Sequence, residues 1–319
     1  MPAPHPASWK RQRTTTGAVA ATGLALAAAA LAPLATHAEP ALPLVVAADG
    51  ILCDLTRTLV ADQARVICLI PPGRDPHQAA LRPRDRQALA DARLVLLNGY
   101  GLTPALQKLG GRAPRVAVAE LAVPNSPGRD PHVWHDPDQA AAMVRVMETR
   151  LASALPPAAA VGLERRSQAA VTVLRDLGRW GQTQVDTVPS RSRVLVSEHR
   201  AFSSLARRFG VRELPLLASF STAGGLRPAS LGAMAQAVRS SGTRQLFAES
   251  LPVSKTLRRV SRASGVPVNP TPLVADGLAP GRSTVQTATD NLCTFVTGQG
   301  GRCDGGGATR LAERWGAIR

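Results

Sequence analysis

Residues 158–187 read AAAVGLERRSQAAVTVLRDLGRWGQTQVDT. Leu163, Ala170, Leu174 and Leu177 recur there at helical spacing, and no β-type run interrupts them. The stretch predicts one long amphipathic helix. What lies on either side of it decides the fold. Before it come four short apolar runs, Leu44–Ala48, Arg65–Ile70, Leu94–Asn98 and Val116–Ala119. Helical patterns over Leu52–Ala61 and from about Pro83 alternate with them. After it come four more runs, Val194–Ser197, Leu214–Ala218, Leu246–Ala248 and Val266–Asn269. A last helix follows on Val285, Ala288, Leu292 and Phe295. Strands alternating with helices are the pattern of parallel sheets covered on both faces. The expectation is an α/β chain of two lobes, each a parallel sheet flanked by helices, joined by a long rigid helix. The boundaries expected are an N-terminal lobe over 39–157, a connecting helix over 158–188 and a C-terminal lobe over 189–319.

Smaller signals fit this plan. Asp136-Pro137 is a helix start, an N-cap followed by proline, with Ala140, Val144, Met147 and Leu151 as the apolar stripe. Residues 298–307 hold six glycines and read as loop. The chain has 319 residues, 45% hydrophobic, which is enough for two cores and too apolar for a disordered chain.

Residues 1–38 are a different polymer. They contain no acid, begin with Lys10, Arg11 and Arg13, continue as an uncharged run from Thr14 to Leu34, and end in Thr36-His37-Ala38. This is the pattern of a secretory signal peptide. A membrane anchor is the rival reading, since the uncharged run is long enough to be weighed. The run is rich in Ala and Thr rather than Leu, and a small-x-small cleavage pattern follows it at once. No cysteine lies near that site, so the expectation is a periplasmic protein without a lipid anchor.

Without residues 1–38 the chain keeps 35 basic and 22 acidic residues, a net charge of +13. The bases fall in small groups such as Arg82-Arg84-Arg86, Arg165-Arg166, Arg207-Arg208 and Arg258-Arg259. These spacings read as solvated helix faces suited to an acidic partner or lipid headgroups. With five Phe, four Trp and one Tyr in the whole chain, base stacking is poorly served and nucleic acid is not expected as a partner. The four cysteines, Cys53, Cys68, Cys293 and Cys303, are free to pair in an oxidising compartment. Of the three possible connectivities, the local one, Cys53 with Cys68 and Cys293 with Cys303, is the simplest for two lobes. No C-x-x-C spacing suggests a thiolate zinc site.

The histidines carry the chemistry. Beyond residue 38 there are four: His77, His132, His135 and His199. His77 and His132 share an Asp-Pro-His context, and His77 and His199 follow strand candidates. Asp276 follows the last strand candidate in the same way. Ligands of open parallel sheets sit beyond the carboxyl ends of strands, so two lobes face to face would bring these groups to one cleft. Three imidazoles and a carboxylate suit a tetrahedral zinc site. Any one of these histidines alone reads as an ordinary surface or capping residue; the joint placement points to metal.

The motifs Pro71-Pro72-Gly73-Arg74-Asp75-Pro76-His77, Asn98-Gly99-Tyr100-Gly101-Leu102 and Asp130-Pro131-His132-Val133-Trp134-His135-Asp136-Pro137 occur in the first half. Val196-Ser197-Glu198-His199-Arg200-Ala201-Phe202, Leu246-Phe247-Ala248-Glu249 and Ala275-Asp276-Gly277-Leu278 occur in the second. In this order, over residues 44–295, the chain resembles the periplasmic substrate-binding proteins of zinc/manganese ABC importers, the metal-binding cluster A-I family. The resemblance implies His77 and His132 as ligands from the first lobe, and His199 and Asp276 from the second. It also implies a helix that limits lobe opening, with Glu249 supporting the site. Histidine at the third ligand position looks like the zinc-binding side of the family.

Three positions depart from the family's pattern. His135 stands where an aliphatic residue is usual; it is weighed as an extra ligand or supporting group but expected to face solvent. Arg200 follows the third histidine, and Arg227 precedes Pro228 in place of an acid. A cation close to a metal opposes binding unless it pairs with a carboxylate such as Glu198. The histidine-rich loop of some zinc members is absent, since Val123–Arg129 holds no histidine.

The function expected is capture, not catalysis. A divalent ion, Zn2+ before Mn2+, is held as cargo between the lobes and passed by a monomer to an ABC permease of the inner membrane. Copper would outrank zinc on affinity and is excluded by supply. The alternatives are an exported zinc-dependent hydrolase, with Glu198 or Glu249 as base, and a metal-binding adhesin on the same fold. The first lacks a motif that sets a glutamate against the metal.

Overall fold

The computed structural model describes residues 41–107, 111–224, 227 and 230–318. The signal peptide expected over 1–38, together with Lys108 and Pro228, lies outside the described residues.

The first half is built on β1 (Leu44–Ala47), α1 (Gly50–Val60), β2 (Arg65–Cys68), α2 (Pro83–Asp91), β3 (Leu94–Leu97), α3 (Pro104–Gln107), β4 (Arg115–Ala117) and α4 (Val118–Ala122). The strands form one parallel sheet in the order β2-β1-β3-β4. β1 is buried along its whole length, which is why it reads as a continuous apolar run rather than an alternating one. The expected strand Val116–Ala119 is shorter, because the chain turns into α4 at Val118. Asp49 starts α1 by accepting from Leu52 N at 3.0 Å.

Next come α5 (Pro137–Ala152), capped by Asp136 as its sequence requires, and α6 (Ala160–Asp186). α6 is the long helix between the lobes. Its buried face carries Leu163, Ala170, Leu174 and Leu177. Gly181 is needed on that face: a Cβ there would lie 2.9 Å from Phe209 Cζ and 3.0 Å from Leu292 Cδ1. Arg166, expected on a solvated face with Arg165, is instead 6% exposed and donates its Nε to Leu59 O at 2.6 Å. Its apolar stem packs in the core while the backbone carbonyl at the end of α1 satisfies one guanidinium N–H.

The second half comprises β5 (Val194–His199), α7 (Ser203–Phe209), β6 (Arg212–Leu217), α8 (Leu231–Ser241), α9 (Lys255–Ser264), α10 (Thr284–Gly298) and α11 (Gly305–Gly316). β5 and β6 pair in parallel. The segments read as strands at Leu246–Ala248 and Val266–Asn269 are held differently. They meet in a single parallel bridge, Leu246 with Val268, and Phe247 N reaches Val196 O at 3.0 Å. Pro267 and Pro270 lack the N–H groups that a longer ladder would need. The glycine-rich loop expected over 298–307 is shorter at both ends. α10 runs to Gly298, and Asp304 caps α11 by accepting from Gly307 N at 2.9 Å.

Two apolar clusters fill the second lobe, around Phe202, Phe209, Phe247 and Phe295 and around Val196, Leu246, Leu257 and Val260. Leu278, Val285, Leu311 and Trp315 pack instead into the core of the first lobe. The C-terminal elements therefore bridge back across, and Asp54 on α1 binds both Thr284 N (2.8 Å) and Trp315 Nε1 (3.1 Å). The cysteines pair locally, Cys53 with Cys68 and Cys293 with Cys303, at Cα separations of 5.6 and 5.3 Å. Among the described residues no helix is long and apolar enough to cross a membrane.

Candidate metal centre

The four groups singled out in the sequence sit at or after the ends of strands or just before a turn. His77 follows β2, through a turn in which Gly73 N donates to Leu278 O at 2.8 Å. Asp75 holds the histidine's backbone, its Oδ1 accepting from His77 N at 2.8 Å, and its Oδ2 accepts from Thr222 Oγ1 at 2.7 Å in the other lobe. His132 stands before a short 3-10 turn, Val133–His135. Asp130 Oδ1 accepts from its backbone N at 2.9 Å and lies 3.0 Å from its ring Nδ1. His199 closes β5, and its Nδ1 lies 2.6 Å from Glu249 Oε2. Asp276 follows a backbone segment fixed by Asn291, which bonds both N and O of Val274 at 2.8 Å.

These four side chains converge. His77 Nε2 and His132 Nε2 are 3.3 Å apart, and each approaches Asp276 Oδ1, at 3.2 and 3.1 Å. His199 Nε2 faces Asp276 Oδ2 at 3.7 Å. One donor atom from each of the four lies within 4.8 Å of the others. The three imidazoles are buried and Asp276 is 11% exposed. His199 Nε2 and His77 Nδ1 are buried without a hydrogen-bond partner. A buried polar atom without a partner is costly, and a cation among the rings would satisfy His199 Nε2.

The proton affinities follow from this crowding. Burial alone would raise Asp276, but hydrogen bonds from His132, His199 and His77 hold it well below the usual carboxylate range. Burial alone would lower His199, but Asp276 and Glu249 push it up to about 10. His132 is also raised, burial again opposing and Asp130 and Asp276 prevailing. Without a metal the cluster therefore balances its carboxylate with imidazolium charge, and a metal ion entering it would replace protons.

The other sequence candidates take distinct places. Glu249 stays off the four-atom cluster. Besides the His199 ring, its Oε1 accepts from the backbone N of Glu198 and of His199, at 2.8 and 2.9 Å. His135 is not solvent-facing as expected: it is 8% exposed, and its Nε2 lies 2.8 Å from Ala275 O. The 3-10 turn rotates its ring inward against Phe202, with centroids 4.7 Å apart. Arg200 does not neutralise Glu198; its guanidinium lies over the Phe220 ring, 5.8 Å from the centroid. Arg227 is exposed. Asp75 and Asp130 had no role assigned from sequence. Their signal was the repeated Asp-Pro-His, in which an aspartate two residues before the histidine accepts its backbone N–H. Beside the cluster a cavity of about 590 Å³ opens between the lobes, lined by Arg74, Glu198, Glu249 and Leu251 among others.

Known proteins are similar to this chain in sequence and in fold. The family described as zinc-uptake complex component A, periplasmic (ZnuA), matches residues 45–298. The chain belongs to this family. Among curated ZnuA-type relatives, the manganese-binding lipoprotein MntA of Halalkalibacterium halodurans is 26% identical over 265 residues, 80% of this chain and 87% of that protein. A metal ABC transporter substrate-binding lipoprotein of Lactococcus lactis is 22% identical over 70% of this chain and 76% of its own length. Among solved structures, the periplasmic zinc-binding protein TroA of Treponema pallidum superposes with a TM-score of 0.75 at 26% identity, covering 81% of this chain and 99% of TroA. The ZnuA-family chain is thus an extracytoplasmic, metal-binding component of the solute-binding kind, with the family's two-lobe α/β fold.

Proposed function

We propose that this chain captures a divalent transition metal, zinc first and manganese second, and delivers it to an ABC-type permease. His77 and His132 from the lobe before α6, and His199 and Asp276 from the lobe after it, would hold the ion. The lobes proposed are 39–157 and 189–319, joined over 158–188, and the protein would act as a monomer freed from residues 1–38. The observation that carries this reading is the convergence of three imidazoles and one carboxylate from both lobes within 4.8 Å. Nitrogen-rich donor sets favour zinc over manganese.

Asp130 and Glu249 each accept from the far ring nitrogen of a histidine. This orients the Nε2 atoms toward the ion and makes them more basic donors. Because the ligands come from both lobes, the bound ion would hold the cleft shut. Because it replaces protons, binding would weaken in acid.

The test is a competitive titration of chelator-stripped residues 39–319 with zinc, manganese and copper, for the native chain and His199→Ala. The expected result is one tightly held zinc ion, weaker manganese and loss in the variant. Absence of any stoichiometric tight metal would overturn the reading.

A further inference from the structure

Many exposed arginines of this protein meet a carboxylate, as Arg82 meets Asp85, Arg282 meets Asp290 and Arg314 meets Asp176. Residues 214–275 differ. This stretch carries seven Lys or Arg residues and one acid, Glu249, which is turned inward onto His199. The two helices within it, α8 and α9, pack against each other. α9 buries Leu257 and Val260 in the core of its lobe and leaves Lys255, Arg258, Arg259 and Arg262 exposed. Among the described residues none of these four is ion-paired, nor is Arg239; Arg239 donates to Gln236 Oε1 through Nε and Nη2 and to Ala263 O through Nη1 at 2.5 Å, and Arg258 Nη1 donates to Val253 O at 2.6 Å, so neutral groups hold them and their charge has no counter-charge. Leu251, 62% exposed, lies just before α9. Leu251, Ser254 and Thr256 also line the cavity beside the four-residue cluster, so the basic helix begins at the rim of the cleft.

We propose that the exposed face of α9, with Arg239 beside it, binds anionic phospholipid headgroups and sets the cleft rim against a membrane surface. The chemistry is direct. Guanidinium groups without a carboxylate partner attract phosphate oxygens, and four to eight clustered cations are enough to draw a protein onto an anionic bilayer. The face is a convex helix surface, which suits a flat array of headgroups. The apolar stripe of α9 is committed to the core, so adhesion is electrostatic, with Leu251, among the described residues, the one large exposed apolar side chain at the patch. The inference rests on the proposed delivery to a permease only in supplying a membrane beside which the protein works.

The experiment is co-sedimentation of residues 39–319 with phosphatidylcholine vesicles, alone or with about 30 mol% phosphatidylglycerol. The expected result is binding to the anionic vesicles only, lost in about 0.5 M NaCl. The Arg258→Glu, Arg259→Glu, Arg262→Glu triple variant should bind at least about tenfold less while its zinc titration is unchanged. A control, Arg57→Glu, Arg65→Glu, Arg93→Glu, makes the same charge change at exposed positions elsewhere and should keep vesicle binding. Equal losses in the two triple variants would mean that net charge rather than α9 acts, and would overturn the proposal. Failure of the native chain to bind anionic vesicles would overturn it too, including the case where it binds an acidic permease in detergent instead. Vesicle binding by a chain that takes up no metal would sink the proposed function and leave this inference standing.

Discussion

His135 Nε2 lies 2.8 Å from the carbonyl oxygen of Ala275, so a ring from one half of the molecule holds the backbone immediately before Asp276 in the other. The ring donates here, and its tautomer follows: Nε2 carries the proton and Nδ1 does not. Leucine at this position would suit the apolar neighbours Trp134 and Phe202 but would free the carbonyl. His135→Leu should therefore fold, bind metal, and release it about tenfold faster, a change of ~1.4 kcal/mol. His135→Gln, which can still donate, should restore most of the native rate. Stopped-flow transfer of bound zinc to a chelator measures this; identical release from native and Leu proteins would refute the role.

Burial of the same ring sets an acid limit. It drives His135 down to about 4, against 6.5 for the unshifted group, with the Ala275 carbonyl opposing only in part. Between those values this group binds a proton in the unfolded chain and not in the folded one, so its contribution to stability falls as pH drops from 6.5 towards 4. Asp276 and Asp130, whose folded values are depressed, add their losses at more acid pH. In this upper window the metal-free His135→Gln protein should lose less melting temperature than the native chain as pH falls, with the more acid decline left in place. A native-like slope in the Gln variant would assign the upper window to another group.

Asp49 carries the opposite sign. Burial raises its carboxyl to about 6 from 3.8, despite backbone hydrogen bonds from Leu52 and Ile51. The folded state then holds the extra proton between those values, and stability declines as pH rises through them. Asn keeps the cap on α1 without the charge. Asp49→Asn should melt higher than the native chain at pH above the folded value and equal to it in acid. Melting curves across the range check this; a lower melting temperature at neutral pH would show that the charged form is needed.

How much of this was legible beforehand depends on how local the determinant is. Leu44–Ala47 reads as a buried parallel strand because nothing polar interrupts it, and α6 because Leu163 to Leu177 keep its period. α9 did not, since two buried apolar residues among four bases make a weak stripe that only packing against α8 completes. α11 begins in three glycines and is set by the Asp304 cap. His77, His132, His199 and Asp276 stood out because each lies at a junction between elements, two of them in an Asp-Pro-His context. The inward turn of His135 did not, because it depends on the 3-10 geometry of Val133–His135 and on Ala275, which is 140 residues away.

Asp54 is the corresponding tie away from the cluster. It accepts from Thr284 N in the first turn of α10, beside the Ser283 cap, and from Trp315 Nε1, so one carboxylate fastens α1 to two C-terminal helices. Asp54→Ala should cost about 1–2 kcal/mol, the range for a lost first-turn hydrogen bond with a buried donor left over. The melting temperature would fall by roughly 2–6 °C while zinc affinity stays within twofold. A large loss of affinity with no loss of stability would place Asp54 in the binding reaction instead.

The disulfides should contribute unequally to stability through the unfolded chain. Cys53 and Cys68 are 15 residues apart, Cys293 and Cys303 only 10. Closing the longer loop removes more chain entropy, about 3 kcal/mol for 15 residues and slightly less for 10. The first bridge also ties α1 to β2 inside a sheet, whereas the second closes the turn after α10, where local helix contacts already limit the chain. Replacing Cys53 and Cys68 by alanine should lower the urea midpoint more than the same change at Cys293 and Cys303. Both variants should show a larger denaturant slope, because the unfolded state expands. Reactive thiols in the exported native protein, or equal midpoints before and after reduction, would remove both bridges from the account of its stability.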